Sequence, residues 1–558
     1  MCKKFQKVDF VKIFISFSLM CIGLFHEFLA CAAGVVLAVY LCIYALKNKN
    51  IKIYINLTGV AVLMIVLFYG LSTFWAIDSG SAIIGFFKFL PVLLFLLVLM
   101  QQKTDCGDYF DIVTYVACFM TVVSSILMQF SALSKWFSVS GRLAGFFQYS
   151  NTFAVFLLFA LVAVITKTKH SYTDFVMIPI LLFGIIYSGS RTAFVLTLSA
   201  VCVQIIFDKN KKRRLVLLST VVLIVSAAVL YAAVTHNFNS VGRFLTISLS
   251  ESTFVGRFLY FKDALPVILK HPFGLGYMGY NYLQYSFQTG VYTVRFIHND
   301  FLQLMLDIGW LPTAVFIAAI IKSFFKKGVS IRKRLLLFVV CAHTLFDFNF
   351  QYVAFFMLFI LLLDYKDGEQ KEISVSKFFS LITASVVSLL FIYMSIAQAL
   401  SYFKQHELSN QIYPWNTQNH IAMLTASDES NKEKIADKII KDNGYVALAY
   451  NVKAHRAYSK GDFKNVIKFE KKAITVSPFT YEAYEEYCRM LINGIYLYEK
   501  SGDKYSADVC RKELKNVSVQ LASLPNRQSE LGKMIKDQPK TELPDEIIKY
   551  IEAMDYEK

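Results

Sequence analysis

Proline and glycine are scarce in this chain, at 10 and 25 of 558 residues. That scarcity excludes collagen-like and low-complexity architectures. Charge is scarce as well. Only 17% of residues are Asp, Glu, Lys or Arg and 56% are hydrophobic, against about 25% and about 45–50% in a soluble chain. A single water-soluble domain is therefore excluded. The 10 cysteines contain no C-x-x-C pair and no Cys/His cluster with zinc spacing. Most lie in apolar runs, where Cys acts as a small hydrophobe. Only Cys488 and Cys510 fall in the polar tail, and no disulfide between them is expected. The chain lacks a P-loop, so ATP is not a visible energy source. No carboxylate pair is placed to bracket a sugar as in a glycoside hydrolase.

What is abundant is apolar and aromatic. The 51 Phe and 32 Tyr suit bilayer cores and interfaces. About 20 apolar residues span a bilayer as a helix, fewer where neighbours shield the ends. Thirteen segments qualify: 10–25, 27–46, 53–76, 82–100, 110–133, 150–167, 174–189, 191–207, 215–234, 301–321, 335–349, 351–363 and 378–398. The pair 335–349 and 351–363 is short, so the count is 12 or 13. Lys3, Lys4, Lys7 and Lys12 precede the first run, and Phe28-Leu29-Ala30-Cys31 has the look of a lipobox. A second apolar run follows at once, so the first helix is read as uncleaved.

With a cytoplasmic N-terminus and alternating spans, the inside loops hold 24 Lys and Arg. The short outside loops hold Lys135, Arg142 and Arg191. This asymmetry is the positive-inside signature. It turns the net charge of +17 from a nucleic-acid footprint into a topology signal, with the cytoplasmic runs touching anionic membrane lipids. The expected fold is all-α: residues 1–400 form a polytopic membrane domain with a large extracytoplasmic loop at 235–297. Residues 401–558 form an extracytoplasmic helical tail. Within that tail, Tyr450, Ala454, Gly461, Phe463, Ala473 and Pro478 stand at offsets that resemble a tetratricopeptide repeat, and a second unit begins near Tyr481. Stacked helical pairs make a docking surface for a protein partner.

Charge near helix ends in a membrane marks candidate chemistry. The outer loop and its exit hold Arg243, Arg257, Lys262, Asp263, Lys270, His271, Arg295 and His298-Asn299-Asp300; Arg142, Asn151 and Arg191 lie on the same expected side. Arginine forks suit phosphate oxygens at any relevant pH. Fixed cations stabilise a leaving diphosphate, and a neutral His takes a proton from an attacking hydroxyl. Gly274 and Gly276 are read as a turn rather than a phosphate cradle. His343 and Asp347, one helical turn apart, are either a proton relay or a buried hydrogen-bonded pair.

Several segments resemble a known family. Gly256-Arg257-Phe258-Leu259-Tyr260, Ala264-Leu265-Pro266-Val267-Ile268 and His271-Pro272-Phe273-Gly274-Leu275-Gly276-Tyr277 resemble the loop of the O-antigen ligase and polymerase superfamily. His298-Asn299-Asp300-Phe301-Leu302-Gln303 resembles the helix that follows, and Gly141-Arg142-Leu143-Ala144-Gly145 and Ser188-Gly189-Ser190-Arg191-Thr192 resemble two upstream segments. The resemblance implies a membrane glycosyltransferase fold often grouped as GT-C. It implies transfer of a glycan from an undecaprenyl-diphosphate carrier to an acceptor hydroxyl at the outer face of the cytoplasmic membrane, without nucleotide, metal or other cofactor. On this resemblance His298 is the base, Arg191 and Arg257 hold the diphosphate, and Arg142 and Asn151 support them. Arg295, Asn299 and Asp300 join the expected substrate contacts. The acceptor is a glycan, a lipid or a protein. A transporter or flippase of lipid-linked glycan, and a non-catalytic envelope scaffold, are the competing classes.

Overall fold

The computed structural model describes residues 9–103, 106–207 and 252–556, with isolated helical positions between 211 and 226. The expected span 215–234 lies largely outside the described residues, and Arg243 lies outside them. The protein is an all-α membrane protein, 76% helical. Its principal helices are α1 (Phe10–Met20), α2 (Glu27–Asn48), α3 (Leu57–Leu71), α4 (Ser79–Gln101), α5 (Cys106–Leu127), α6 (Ser150–Ile165), α7 (Tyr172–Ser188), α8 (Arg191–Phe207), α9 (Ser252–Lys270), α10 (Gly279–Phe287), α11 (Asp300–Ile308), α12 (Trp310–Phe325), α13 (Ile331–Thr344), α14 (Val353–Ile360) and α15 (Lys377–Tyr402). Each of the other expected spans contains helix, although residues 53–55 of the span 53–76 are strand and the helix in 335–349 ends at Thr344. Five helices are long and apolar enough to cross a membrane on length and composition: Glu27–Asn48, Leu57–Phe74, Ser79–Gln101, Gly107–Leu127 and Lys377–Tyr402. Phe378, Phe379 and Leu389 on α15 are 75%, 63% and 64% exposed, a surface suited to lipid and costly in water.

The segment 301–321 reads as one apolar run but folds as two helices. Gly309 adopts φ 86° and ψ −176° between α11 and α12, a conformation open essentially to glycine. Hydropathy is blind to this break because the flanking side chains stay apolar.

The chain divides into two compact units. One comprises Met1–Leu71, Ile84–Ser248 and Ile297–Gln398. In it, strand β1 (Asn50–Ile55) pairs antiparallel with β2 (Glu369–Ser374), from Asn50 opposite Ser374 to Ile55 opposite Glu369. Lys52 meets Glu372 across this ladder at 3.6 Å, and further ion pairs in the unit join Lys333 with Asp364 at 2.8 Å, Arg332 with Asp111 at 3.0 Å and Lys167 with Asp174 at 2.8 Å. Helix α6 starts beside Asn151 and ends just before Lys167. Its rise separates those ends by about 24 Å.

The other unit comprises Ser72–Ile83, Leu249–Phe296 and Ala399–Lys558. Its tail helices are α16 (His406–Ile412), α17 (Thr417–Ala426), α18 (Glu429–Asp442), α19 (Ala447–Ser459), α20 (Phe463–Val476), α21 (Tyr481–Ser501), α22 (Lys504–Ala522) and α23 (Glu530–Met534). Two hairpins, α19 with α20 and α21 with α22, turn on the same device. A glycine at positive φ (Gly461, 70°; Gly502, 81°) precedes an Asp whose side chain caps the next helix, Asp462 to Asn465 N–H and Asp503 to Ser506 N–H. Helix α21 runs 21 residues against 13 in α19, so the turns stand wider apart than the about 34-residue tetratricopeptide period. Cys488 and Cys510 are buried free thiols in the shared core.

Glu470 on α20 is 1% exposed. Burial, and then the charge of Glu486, push its carboxyl from 4.5 up to about 8. The folded tail holds this proton where the unfolded chain has released it. Glu470 therefore lowers tail stability progressively as pH rises from about 4.5 to about 8, and by a constant amount above. Glu470→Gln should remove that decline, raising the thermal midpoint of the tail transition at pH 8.5 more than at pH 5 in the detergent-solubilised full chain. An equal shift at both pH values would contradict the assignment.

Candidate active site

The first unit brings together side chains from four stretches of chain. Ser140 and Gly141, at φ 51° and 73°, make the tight turn of a short ladder that pairs Val139 with Arg142. Two consecutive positive φ values suit such hairpin turns. The Arg142 guanidinium donates from Nε to the Ser188 carbonyl at 2.7 Å and from Nη2 to Asn151 Oδ1 at 2.7 Å. Asn151, on the first turn of α6, donates from Nδ2 to Asp347 Oδ2 at 2.7 Å. The Tyr149 hydroxyl donates to Asp347 Oδ1 at 3.0 Å. His298 presents Nδ1 to the same oxygen at 3.4 Å, and its ring meets Phe348 edge-on at 5.0 Å.

Asp347 is 1% exposed. A buried carboxylate is tolerated only with partners on its lone pairs, and here Asn151, Tyr149 and His298 surround it. A carboxylate facing Nδ1 favours the imidazole tautomer protonated there. His298 also sits at φ 57°, in the left-handed region that non-glycine residues rarely adopt. Strain of this kind is held only where the surroundings over-determine it.

Two neighbours hold the turn. Asn299 caps α11, its Oδ1 accepting from the Phe301 and Leu302 N–H groups at 3.0 Å each. Asp300 is 1% exposed and accepts from the Phe350 N–H at 3.0 Å. Both were expected on the substrate; the contacts seen here are within the protein, Asn299 satisfying the amides of a helix start and Asp300 tying that start to the Phe350 stretch. His343 engages Asn349. Its Nδ1 accepts from Asn349 Nδ2 at 3.0 Å.

Arg191 opens α8 two residues after Gly189 (φ 61°), at the turn whose Ser188 carbonyl Arg142 holds. A cation at a helix N-terminus opposes the helix dipole, and together with the first-turn amides it suits an anion.

A buried polar string, which sequence reasoning missed, runs inward from His298. Gln303 Oε1 accepts from the Ile297 N–H at 3.0 Å, and Gln303 Nε2 donates to Asp307 Oδ1 at 2.9 Å. The Tyr69 hydroxyl donates to Asp307 Oδ2 at 2.9 Å. The Lys88 ammonium, fully buried, lies within electrostatic reach of Asp307. It stands 3.6 Å from Glu27 Oε1 and 5.0 Å from the Phe25 ring centroid. The signal was present: a lysine inside the apolar run 82–100 and an aspartate inside 301–321, both costly in a bilayer without partners.

Arg257 and Arg295 belong to the second unit. Arg257 is half-buried on α9, and the Arg295 guanidinium lies 5.3 Å from the Phe296 centroid. Leu275 accepts from the Ile77 N–H at 3.0 Å. A Cβ on Gly276 would stand 2.5 Å from that of Ala76, so this glycine permits a close backbone approach. Burial, and then Lys270, lower the pKa of His271. Among the described residues no three His, Cys, Asp or Glu side chains converge as metal ligands.

The fold and the site define the class: an all-α membrane protein with a His–carboxylate pair and an arginine at a helix start. Within that class, residues 176–317 match the family model described as O-antigen ligase. The match spans about a quarter of the chain, includes Arg191, Arg257, Arg295 and His298, and supports a glycan ligase or polymerase role in polysaccharide biosynthesis. Arg142, Asn151 and Asp347 lie outside it. No curated protein matches this chain.

Removing one partner of a buried ion pair leaves the other charge uncompensated. Lys88→Met should therefore lower the melting temperature of the purified protein, and adding Glu27→Gln should restore part of the loss. Additive losses in the double variant would show that the two side chains do not act as a pair.

Proposed function

We propose that the protein transfers a glycan from an undecaprenyl-diphosphate carrier to an acceptor hydroxyl at the outer face of the cytoplasmic membrane. The observation that carries this reading is the chain of contacts from Arg142 through Asn151 and Asp347 to His298. His298 Nε2 takes the acceptor's proton while the hydroxyl oxygen attacks the anomeric carbon. The bond from that carbon to the diphosphate oxygen breaks, and undecaprenyl diphosphate leaves. Asp347 stabilises the imidazolium formed. Arg191 and Arg257 neutralise the diphosphate as its charge grows, with Arg295 supporting them, and Arg142 fixes the turn that carries Arg191. Attack and departure in one displacement invert the anomeric centre. Asn299 and Asp300 support the His298 turn and touch no substrate in this scheme.

The reading places the N-terminus in the cytoplasm and the tail outside, where its hairpins meet a protein partner. Pairing of 50–55 with 369–374 is in keeping with alternating spans that put both loops on one side. The acceptor is another lipid-linked repeat, a wall polymer or a protein side chain. The buried Lys88 string also favours a second reading, a transporter of lipid-linked glycan, since transporters hold ionisable groups between helices.

His298→Ala and Arg191→Ala should each abolish transferred or polymerised glycan at unchanged protein level. Asp347→Asn should lower the transfer rate by about 10²–10⁴-fold, the range general-base catalysis contributes. Full transfer by His298→Ala sinks the mechanism. Flipping of the lipid-linked glycan by purified protein, with no glycosidic bond formed, selects the transporter.

A further inference from the structure

The tail, read from sequence, is a docking surface for a protein partner. Within the second unit its end is instead built into the outer loop. Asp263, on α9 and 6% exposed, accepts at Oδ2 from the Thr289 N–H at 2.7 Å and the Tyr292 hydroxyl at 3.0 Å. Its Oδ1 accepts from the Thr289 hydroxyl at 2.6 Å. Thr289 is then gripped from the tail. Its carbonyl accepts from the Ser529 N–H at 2.9 Å, and the two hydroxyls stand 2.8 Å apart. Arg527 Nη2 donates to the Ser286 carbonyl at 2.7 Å.

Gly532 on α23 allows the closest approach. A Cβ there would lie 2.0 Å from the Thr289 carbonyl oxygen and 3.1 Å from Gly290 Cα, so no other residue fits without moving the loop. Beside it, Ile535 is buried with Val255, Leu259 and Tyr292, and Leu531, Tyr260 and Val294 pack against them. Val255 and Leu259 flank Arg257 on α9, and Val294 directly precedes Arg295. One short tail segment thus backs both arginine-bearing stretches of the loop.

We infer that the segment Arg527–Ile535 is a positioning element of the transfer site, setting Arg257 and Arg295 for the diphosphate. The inference rests on the proposed diphosphate role of Arg257. The tail then serves the reaction directly, and whatever docks on its hairpins has a mechanical route to the loop.

The test uses full-length protein in lipid nanodiscs and undecaprenyl diphosphate as the binding probe. Gly532→Val should weaken probe binding by about tenfold or more, as expected when a charged contact is displaced by an ångström or so. Arg527→Ala, which removes one hydrogen bond and leaves the packing, should weaken it less and in the same direction. Gly532→Val together with Arg257→Ala should bind no worse than Arg257→Ala alone, because a displaced arginine and an absent one are equivalent; a purely structural defect would add. If Arg257→Ala weakens binding and Gly532→Val does not, or if their effects add, the positioning role is overturned. An Arg257→Ala protein that binds like wild type overturns the diphosphate reading itself and the inference with it.

Discussion

The candidate site depends on one buried carboxylate. Asp347 lies almost fully out of water, and desolvating a charge is costly unless partners return the lost hydration. That demand draws Asn151 and Tyr149 from the start of α6 and aligns the His298 ring from the start of α11. Asn151 then engages Arg142, and Arg142 holds the turn before α8. Three of the stretches that meet here, around Asn151, His298 and Asp347, are far apart in sequence. Remove the carboxylate and the polar reason for their convergence disappears.

Around this centre the chain uses conformations that only certain residues permit. Glycines open the Arg142 hairpin, end α7 before Arg191 and break the run after His298 into α11 and α12. His298 holds a left-handed backbone without being a glycine, and its neighbours Asn299 and Asp300 secure the turn from inside. Residues that resemble substrate ligands by type are thus supports by contact. The distinction matters for a transferase because a base displaced by an ångström loses most of its effect.

Much of the site was legible, though unevenly. Arg142, Asn151, Arg191 and His298 stood out because polar groups at the ends of apolar helices are expensive to keep without use. Asp347 was noticed only beside His343. His343 is four residues away, the spacing at which helical neighbours meet, whereas Asn151 and His298, which the structure brings to Asp347, come from distant segments. A pairing across the bundle has no period for a sequence reading to detect. Lys88 and Asp307 were visible as isolated charges in apolar runs, but nothing local connected them. In the tail, the Gly461-Asp462 turn was readable and its repetition at Gly502-Asp503 follows the same chemistry; the clasp of Ser529 and Gly532 on Thr289 left no local mark.

By itself the sequence determined the class: an all-α membrane protein whose scattered polar residues at helix ends, not its basic excess, mark the candidate chemistry. It could do so because hydropathy, helix length and charge placement act locally or sum along the chain. Only the tertiary structure decided which polar groups face one another, where an apolar run must break, and that the end of the tail supports the loop. Those outcomes depend on desolvated contacts between distant segments, and their energies exist only once the helices have packed.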